Sequence, residues 1–152
     1  MLITMQQVLD EIDRDEPDYA GIAKLGPEAL PHLQMILEAD DPLKSAKAVY
    51  AASLIGGPGS IDVLREAADH HDPQVRIALA QGLRNLSENA PTDLVMKSLN
   101  DPDSGVRKLA LSTVELLKRA DFSQKVSTIA QSDPEEYLRT AASTAVKKLK
   151  FY

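Results

Sequence analysis

Asp72-Pro-Gln-Val-Arg-Ile-Ala-Leu-Ala-Gln-Gly-Leu-Arg-Asn-Leu86 decides how this chain is read. Asp-Pro supplies a capping carboxylate and a preset φ, the ordinary opening of a helix. Behind it Val75, Leu79, Leu83 and Leu86 recur three and four residues apart, which is the helical period. The pattern then returns along the chain, with turns at Asp41-Pro42, Asp72-Pro73, Asp101-Pro102 and Asp133-Pro134. The stretches after these turns fall into columns. Lys44, Val75, Val106 and Leu138 form one, and Ala48, Leu79, Ala110 and Ala142 the next. Ala52, Leu83, Val114 and Val146 follow, then Ile55, Leu86, Leu117 and Leu149, in steps of 31, 31 and 32 residues. Ahead of the turns, Leu33, Leu64, Val95 and Val126 align, with Leu37, Ala68, Leu99 and Ala130 beside them. A fixed period of this size means stacked supersecondary units, none of which can bury its apolar face alone.

Each unit reads as two helices. The first members are expected near 27–39, 60–70, 92–99 and 123–131, and the second near 43–55, 74–86, 104–118 and 135–150. Gly56-Gly57-Pro58-Gly59, Ser87 to Pro91 and Ala120-Asp121 break the pattern between units, and Ser60, Thr92 and Ser123 are the expected N-caps. The four-residue glycine turn lacks the Gly-Lys-Ser/Thr ending of a phosphate loop and reads as a helix connection needing positive φ. Residues 1–25 fit the period poorly and read as a degenerate opening pair. The expected array is one domain, with units near 26–56, 57–88, 89–119 and 120–152, all-α and free of sheet.

Composition narrows the function classes. The 152 residues are 43 % apolar and 26 % charged, with only 4 % aromatics and no Trp, so the core must be aliphatic. With no Cys there is no disulfide framework, thiolate zinc site or Cys nucleophile, which suits a reducing cytoplasm. The N-terminus lacks a basic leader region, and no apolar run approaches the ~20 residues of a membrane span. A soluble cytoplasmic protein, monomeric or weakly dimeric, is the expectation.

Asp72-Pro-Gln-Val-Arg76, Asp103-Ser-Gly-Val-Arg107 and Asp133-Pro-Glu-Glu-Tyr-Leu-Arg139 resemble the turn and second helix of a HEAT repeat, while the first copy has Ser45 in the Arg position. The resemblance covers residues 26 to 152 and is nearest to the short bacterial form found in phycobilisome-lyase-like HEAT proteins. It implies a right-handed α-α superhelix, a HEAT-like solenoid, whose second helices line the concave surface. It says little about activity, since such arrays serve as scaffolds, adaptors, accessory subunits and sometimes enzymes. HEAT-repeat hydroxylases hold iron through His-Glu dipeptides, which this chain lacks, and HEAT-like glycosylases use Trp, also absent.

The recurring Asp and Arg residues are read as structure, because a catalytic site would occur once. The expected lattice runs through Asp72, Asp103, Arg76, Arg107 and Arg139, with the capping Asp pairing to an Arg in its own or the next unit. His70-His71-Asp72 is the densest group of ligand types. Adjacent helical His side chains diverge by about 100°, so no metal site is expected there. His32 reads as a lone surface residue. No catalytic residue, cofactor or metal is assigned.

Charge placement is the remaining functional signal. Residues 41–55, 72–86, 103–119 and 135–150 hold 12 Lys or Arg against 6 Asp or Glu, while the rest of the chain holds 5 against 17. An acidic protein with basic second helices suits a protein or peptide partner bearing an acidic patch on the concave face. The expected face carries Lys47, Tyr50, Gln81, Arg84, Lys108, Ser112, Glu115, Thr144 and Lys147, with Ser53 in the same rows and Tyr50 and Arg84 as first anchors. Helix-dipole placement is the competing explanation of the cations. The acidic run from Asp10 to Asp18 could shield this face in the same or a neighbouring molecule. Two other functions stay open: an accessory subunit or enzyme of phycobilisome-lyase type, and nucleic-acid binding. The net charge of −6 and the few aromatics argue against nucleic acid. At the other end, Phe151 and Tyr152 are expected to fold back over the last unit.

Overall fold

Asp residues start the long helices here, and glycine or another positive-φ residue ends them, so the array is built from local rules before any packing is considered. The computed structural model describes residues 2–39 and 41–149. Among them are ten α-helices and no strand: α1 Met5–Ile12, α2 Tyr19–Leu25, α3 Leu30–Glu38, α4 Pro42–Ile55, α5 Gly57–Ala68, α6 Pro73–Gly82, α7 Thr92–Leu99, α8 Ser104–Leu117, α9 Ser123–Ser132 and α10 Glu136–Leu149. Short 3₁₀ turns precede α3 and α9 and follow α6. Helices pair in sequence (α3 with α4, α5 with α6, α7 with α8, α9 with α10), and each also packs on its counterpart in the next unit. Two layers result, α3-α5-α7-α9 and α4-α6-α8-α10, in an all-α solenoid. The opening helices extend both layers, α1 against α3 and α2 against α4.

The even helices carry the expected Asp caps. Asp41 accepts from the Lys44 N–H at 3.3 Å, Asp72 from Gln74 at 2.8 Å, and Asp103 from Gly105 and Val106 at 2.8 and 3.2 Å. The expected caps of the odd helices are not caps. Ser60 lies inside α5, because that helix already starts at Gly57; its buried hydroxyl donates to Ala52 O at 2.5 Å. Thr92 and Ser123 make no capping bond, since α7 opens on Pro91 and α9 grows out of a 3₁₀ turn. Thr4 does cap α1, in a reciprocal box with Gln7.

Helix ends follow a period of their own. Gly26 (φ +74°), Gly56 (+76°), Ser87 (+52°) and Lys118 (+55°) turn the chain out of successive even helices. Gly26 and Gly56, with ψ near 180°, occupy a region that is essentially closed to side chains. The glycine turn needs positive φ at Gly56 and Gly57, as expected, but Gly57, Pro58 and Gly59 already form the first turn of α5. Ser87 and Lys118 hold the same place at some backbone cost, which is why composition alone missed it. The helix expected over 74–86 ends at Gly82; 3₁₀ turns follow over Leu83–Asn89, interrupted at Ser87, whose φ of 52° and ψ of −127° are not helical. Leu83 and Leu86 stay buried because three-residue spacing keeps both on one side of a 3₁₀ turn.

The apolar columns are the core. Leu33, Leu64, Val95, Val126, Val75, Val106 and Leu138 have no more than 0 % exposure. One column member is overturned: Lys44 is exposed and pairs with Asp13 at 3.4 Å. Its neighbour Ser45 turns inward instead and donates to Leu37 O at 3.0 Å, which a lysine could not do from a dry site without stranding its charge. The fold-back expected of Phe151 and Tyr152 lies outside the described residues.

Candidate functional site

The Arg residues that open α6, α8 and α10 lie where consecutive units meet. Arg76 donates through Nε and Nη2 to both oxygens of Asp101, at 2.8 and 3.2 Å, and through Nη1 to His70 O and His71 O. One unit on, Arg107 repeats the arrangement with Asp133, at 2.8 and 3.1 Å, and with Asp101 O and Pro102 O. Both pairs are largely buried, with 11 % and 4 % side-chain exposure at Arg107 and Asp133. Burial alone would raise the Asp133 carboxyl, but Arg107 and the Glu135 N–H outweigh it and hold the group below its usual range. These joints correct the expected lattice. Asp72 and Asp103 only cap; the acids that pair lie two residues earlier, in the next unit's turn. In the second unit that place belongs to His70, whose Nδ1 accepts the Asp72 N–H at 3.0 Å.

His70 and His71 lie on the turn after α5, not on a helix, and their rings stack at 4.5 Å with 21° between planes. The expected 100° divergence does not apply off the helix. No group of three or more His, Cys, Asp or Glu side chains placed to hold a metal occurs among the described residues. His32 is not a lone surface residue: half-buried, its Nε2 meets Ile3 O at 2.7 Å and ties the segment before α1 to α3.

The nine residues expected to form a partner-binding face divide along the array. Tyr50 is half-buried, with the Tyr19 ring edge-on at 5.0 Å and Arg84 Nη2 donating to its Oη at 3.5 Å. That bond lowers the Tyr50 phenol from its usual pKa, whereas burial, then Tyr50, raises that of Tyr19. Gln81 is half-buried. Lys47 is committed elsewhere, donating to Ile12 O and Arg14 O at 3.4 Å and so closing the carbonyl end of α1. Glu115 pairs with Lys148 at 2.9 Å. Lys108, Ser112, Thr144 and Lys147 are exposed on α8 and α10. Ser53 is buried, donating to Tyr50 O and accepting from Asn85 Nδ2. The missed member of the row is Tyr19, and its signal was present: it stands 31 residues before Tyr50.

Most cations of the even helices therefore hold the protein together. Besides Arg76, Arg107, Lys44, Lys47 and Lys148, Arg119 donates to Ala90 O at 2.7 Å and to Asp121 at 2.9 Å, its guanidinium 5.0 Å from the Phe122 ring centre. Lys108 and Lys147 stay exposed, without an acid partner among the described residues. The cleft bounded by Gly56, Pro58, Ile61, Asn85 and Asn89 has about 420 Å³ and is lined by amide and apolar groups, without a titratable side chain. No described helix is long and apolar enough to cross a membrane.

A comparison with curated proteins gives no match. The family model of HEAT repeats matches residues 19–84 and 64–147, and its first match starts at Tyr19, the first residue of α2. With paired helices and buried columns through the matched region, and Arg–Asp joints between its later units, the chain belongs to the HEAT-repeat family.

Proposed function

We propose that the protein is a non-catalytic scaffold of the cytoplasm, holding an acidic segment of another protein on the concave face of its second helices. HEAT repeats generally serve protein interaction. The observation that carries the reading is the half-buried Tyr50–Arg84 pair, continued along α8 and α10 by exposed Lys108, Ser112, Thr144 and Lys147. A tyrosine ring and a guanidinium held in place supply apolar area and a charged fork at small entropic cost, and the exposed lysines add attraction at longer range. The domain limits follow the array, with units near 26–56, 57–88, 89–119 and 120–152 behind an opening pair at 1–25.

Calorimetry with acidic peptides drawn from the source cell's own proteins tests this. Arg84→Ala and Lys108→Glu/Lys147→Glu are expected to weaken binding about tenfold or more, with melting unchanged, and rising salt to weaken it further. Binding indifferent to all three substitutions would reject the face.

A further inference from the structure

Among the described residues, one Arg of the joint column stands without its carboxylate. Arg139 stands in the column of Arg76 and Arg107, and its Nη1 donates to Asp133 O at 2.5 Å, as theirs do to the carbonyls of the corresponding turns. The guanidinium is thus held in the same pose. Its Nε–Nη2 edge, which in the other two grips a carboxylate, meets none among the described residues. The acid that fills this edge elsewhere comes from an acid-Pro-acid turn, Asp101-Pro-Asp103 or Asp133-Pro-Glu135. In each, the first acid takes the Arg and also accepts the N–H two residues on, at 2.9 Å.

The sequence holds this tripeptide once more, as Glu16-Pro17-Asp18 at the opposite end of the array. Asp18 caps α2 through the Gly21 N–H at 2.9 Å, as Asp103 caps α8, and Glu16 is exposed. The turn around it carries Asp13, Asp15 and Asp18 against Arg14, and α10 carries Arg139, Lys147 and Lys148 against Glu136; Asp13 and Lys148 are already paired, with Lys44 and Glu115. The two ends are complementary in charge and in the parts of the joint that each lacks. The open side of α10 is polar at this column: Ser143 is exposed where Val49, Ala80 and Leu111 are buried in the earlier units.

We infer that the chain associates head to tail, with Glu16 of a second copy gripped by the Arg139 fork in the place that Asp101 and Asp133 hold inside the array. The contact joins two different surfaces, so copies can keep adding. The joint rests on a charge pair, so the association is sensitive to salt.

Sedimentation of the 152-residue protein over a concentration series is the test. At low salt the mean mass rises with concentration; at about 1 M salt, where screening acts within about 3 Å, the protein stays monomeric. Arg139→Glu and Glu16→Arg each abolish the rise. Mixing the two single variants restores it, because both joints in the mixture again pair opposite charges. Should Arg139→Glu prove misfolded by circular dichroism, Arg139→Gln replaces it as a loss-of-association variant, and Glu16→Arg, on an exposed turn, decides by itself. A wild-type monomer at every concentration, or association indifferent to the reversals, overturns the inference. So does a wild-type monomer that binds an Asp-Pro-Asp peptide through Arg139, which would give the fork to another protein.

Discussion

Between α4 and α6 the units are held by small side chains, whereas from α6 to α8 and from α8 to α10 they are held by an Arg gripping a carboxylate. At the first joint a Cβ on Gly82 would lie 2.8 Å from Ser53 and Ser53 accepts from Asn85, while Ser45, in the Arg column, only bonds the carbonyls ending α3 of its own unit. At the later joints Arg76 and Arg107 each make four hydrogen bonds, two of them to a nearly buried Asp of the next unit. The first design depends on close approach and tolerates no added volume. The second depends on charge pairing and tolerates no lost partner. The same period therefore supports two different sensitivities.

Removing a partner should hurt most. Arg107→Ala leaves Asp133 buried without its counter-charge, and a loss of about 3–5 kcal/mol is expected. Chemical denaturation checks this, and Asp133→Ala added to Arg107→Ala should cost much less than the two changes summed. The pair also sets a pH dependence. Asp133 is held below its ordinary pKa, so its contribution is complete above the unfolded value near 3.9 and is lost as pH falls through the lower folded value. Melting of the wild type should drop on that acid limb, and the drop should be shallower in Arg107→Ala.

Forcing the second design onto the first joint comes next. Ser45→Arg brings a guanidinium to a fully buried site, with His70 at the position that corresponds to Asp101, and about 1–3 kcal/mol should be lost to crowding and an unpaired charge. Adding His70→Asp should recover part of it if the joints are interchangeable; no recovery in thermal melts means that the close α4–α6 approach excludes the pair.

A smaller change tests that approach directly. Gly82→Ala crowds Ser53, yet alanine's better helix propensity returns up to about 1 kcal/mol, so a net loss of about 1 kcal/mol is expected. A stabilised variant would show that α6 has room to move away.

The smallest effect lies in the other layer. Arg65 and Asp93 join α5 to α7 at 2.5 Å, but both side chains face water. Arg65→Ala should leave the melting temperature unchanged within error, because an exposed pair gains little over hydration. A clear drop would move weight from the Arg–Asp joints to the surface pairs.

What the sequence determined by itself is what neighbouring residues decide. A capping Asp acts on an N–H two or three residues away, a buried column repeats every three or four, and Gly56 meets a local need for positive φ. The helix pairs, most of the core and the family were therefore legible, though not the starts of the odd helices, the end of α6 or the exposure of Lys44. Tertiary structure alone decided which groups meet across a joint. Arg107 reaches Asp133 over 26 residues and Lys47 reaches α1 over 35, and no local rule distinguishes Asp101 from Asp103 as the acid that pairs. The expected face shows the same limit. Spacing put Ser53 and Arg84 in one row with Lys47 beside it, but the depth at which α4 packs against its neighbours buries Ser53, engages Lys47 and leaves Arg84 beside Tyr50. Helical phase fixes the direction of a side chain relative to its own axis. Whether it meets solvent, a carbonyl or a carboxylate depends on the distance to the next helix, which is set by the volumes of side chains far apart in the chain.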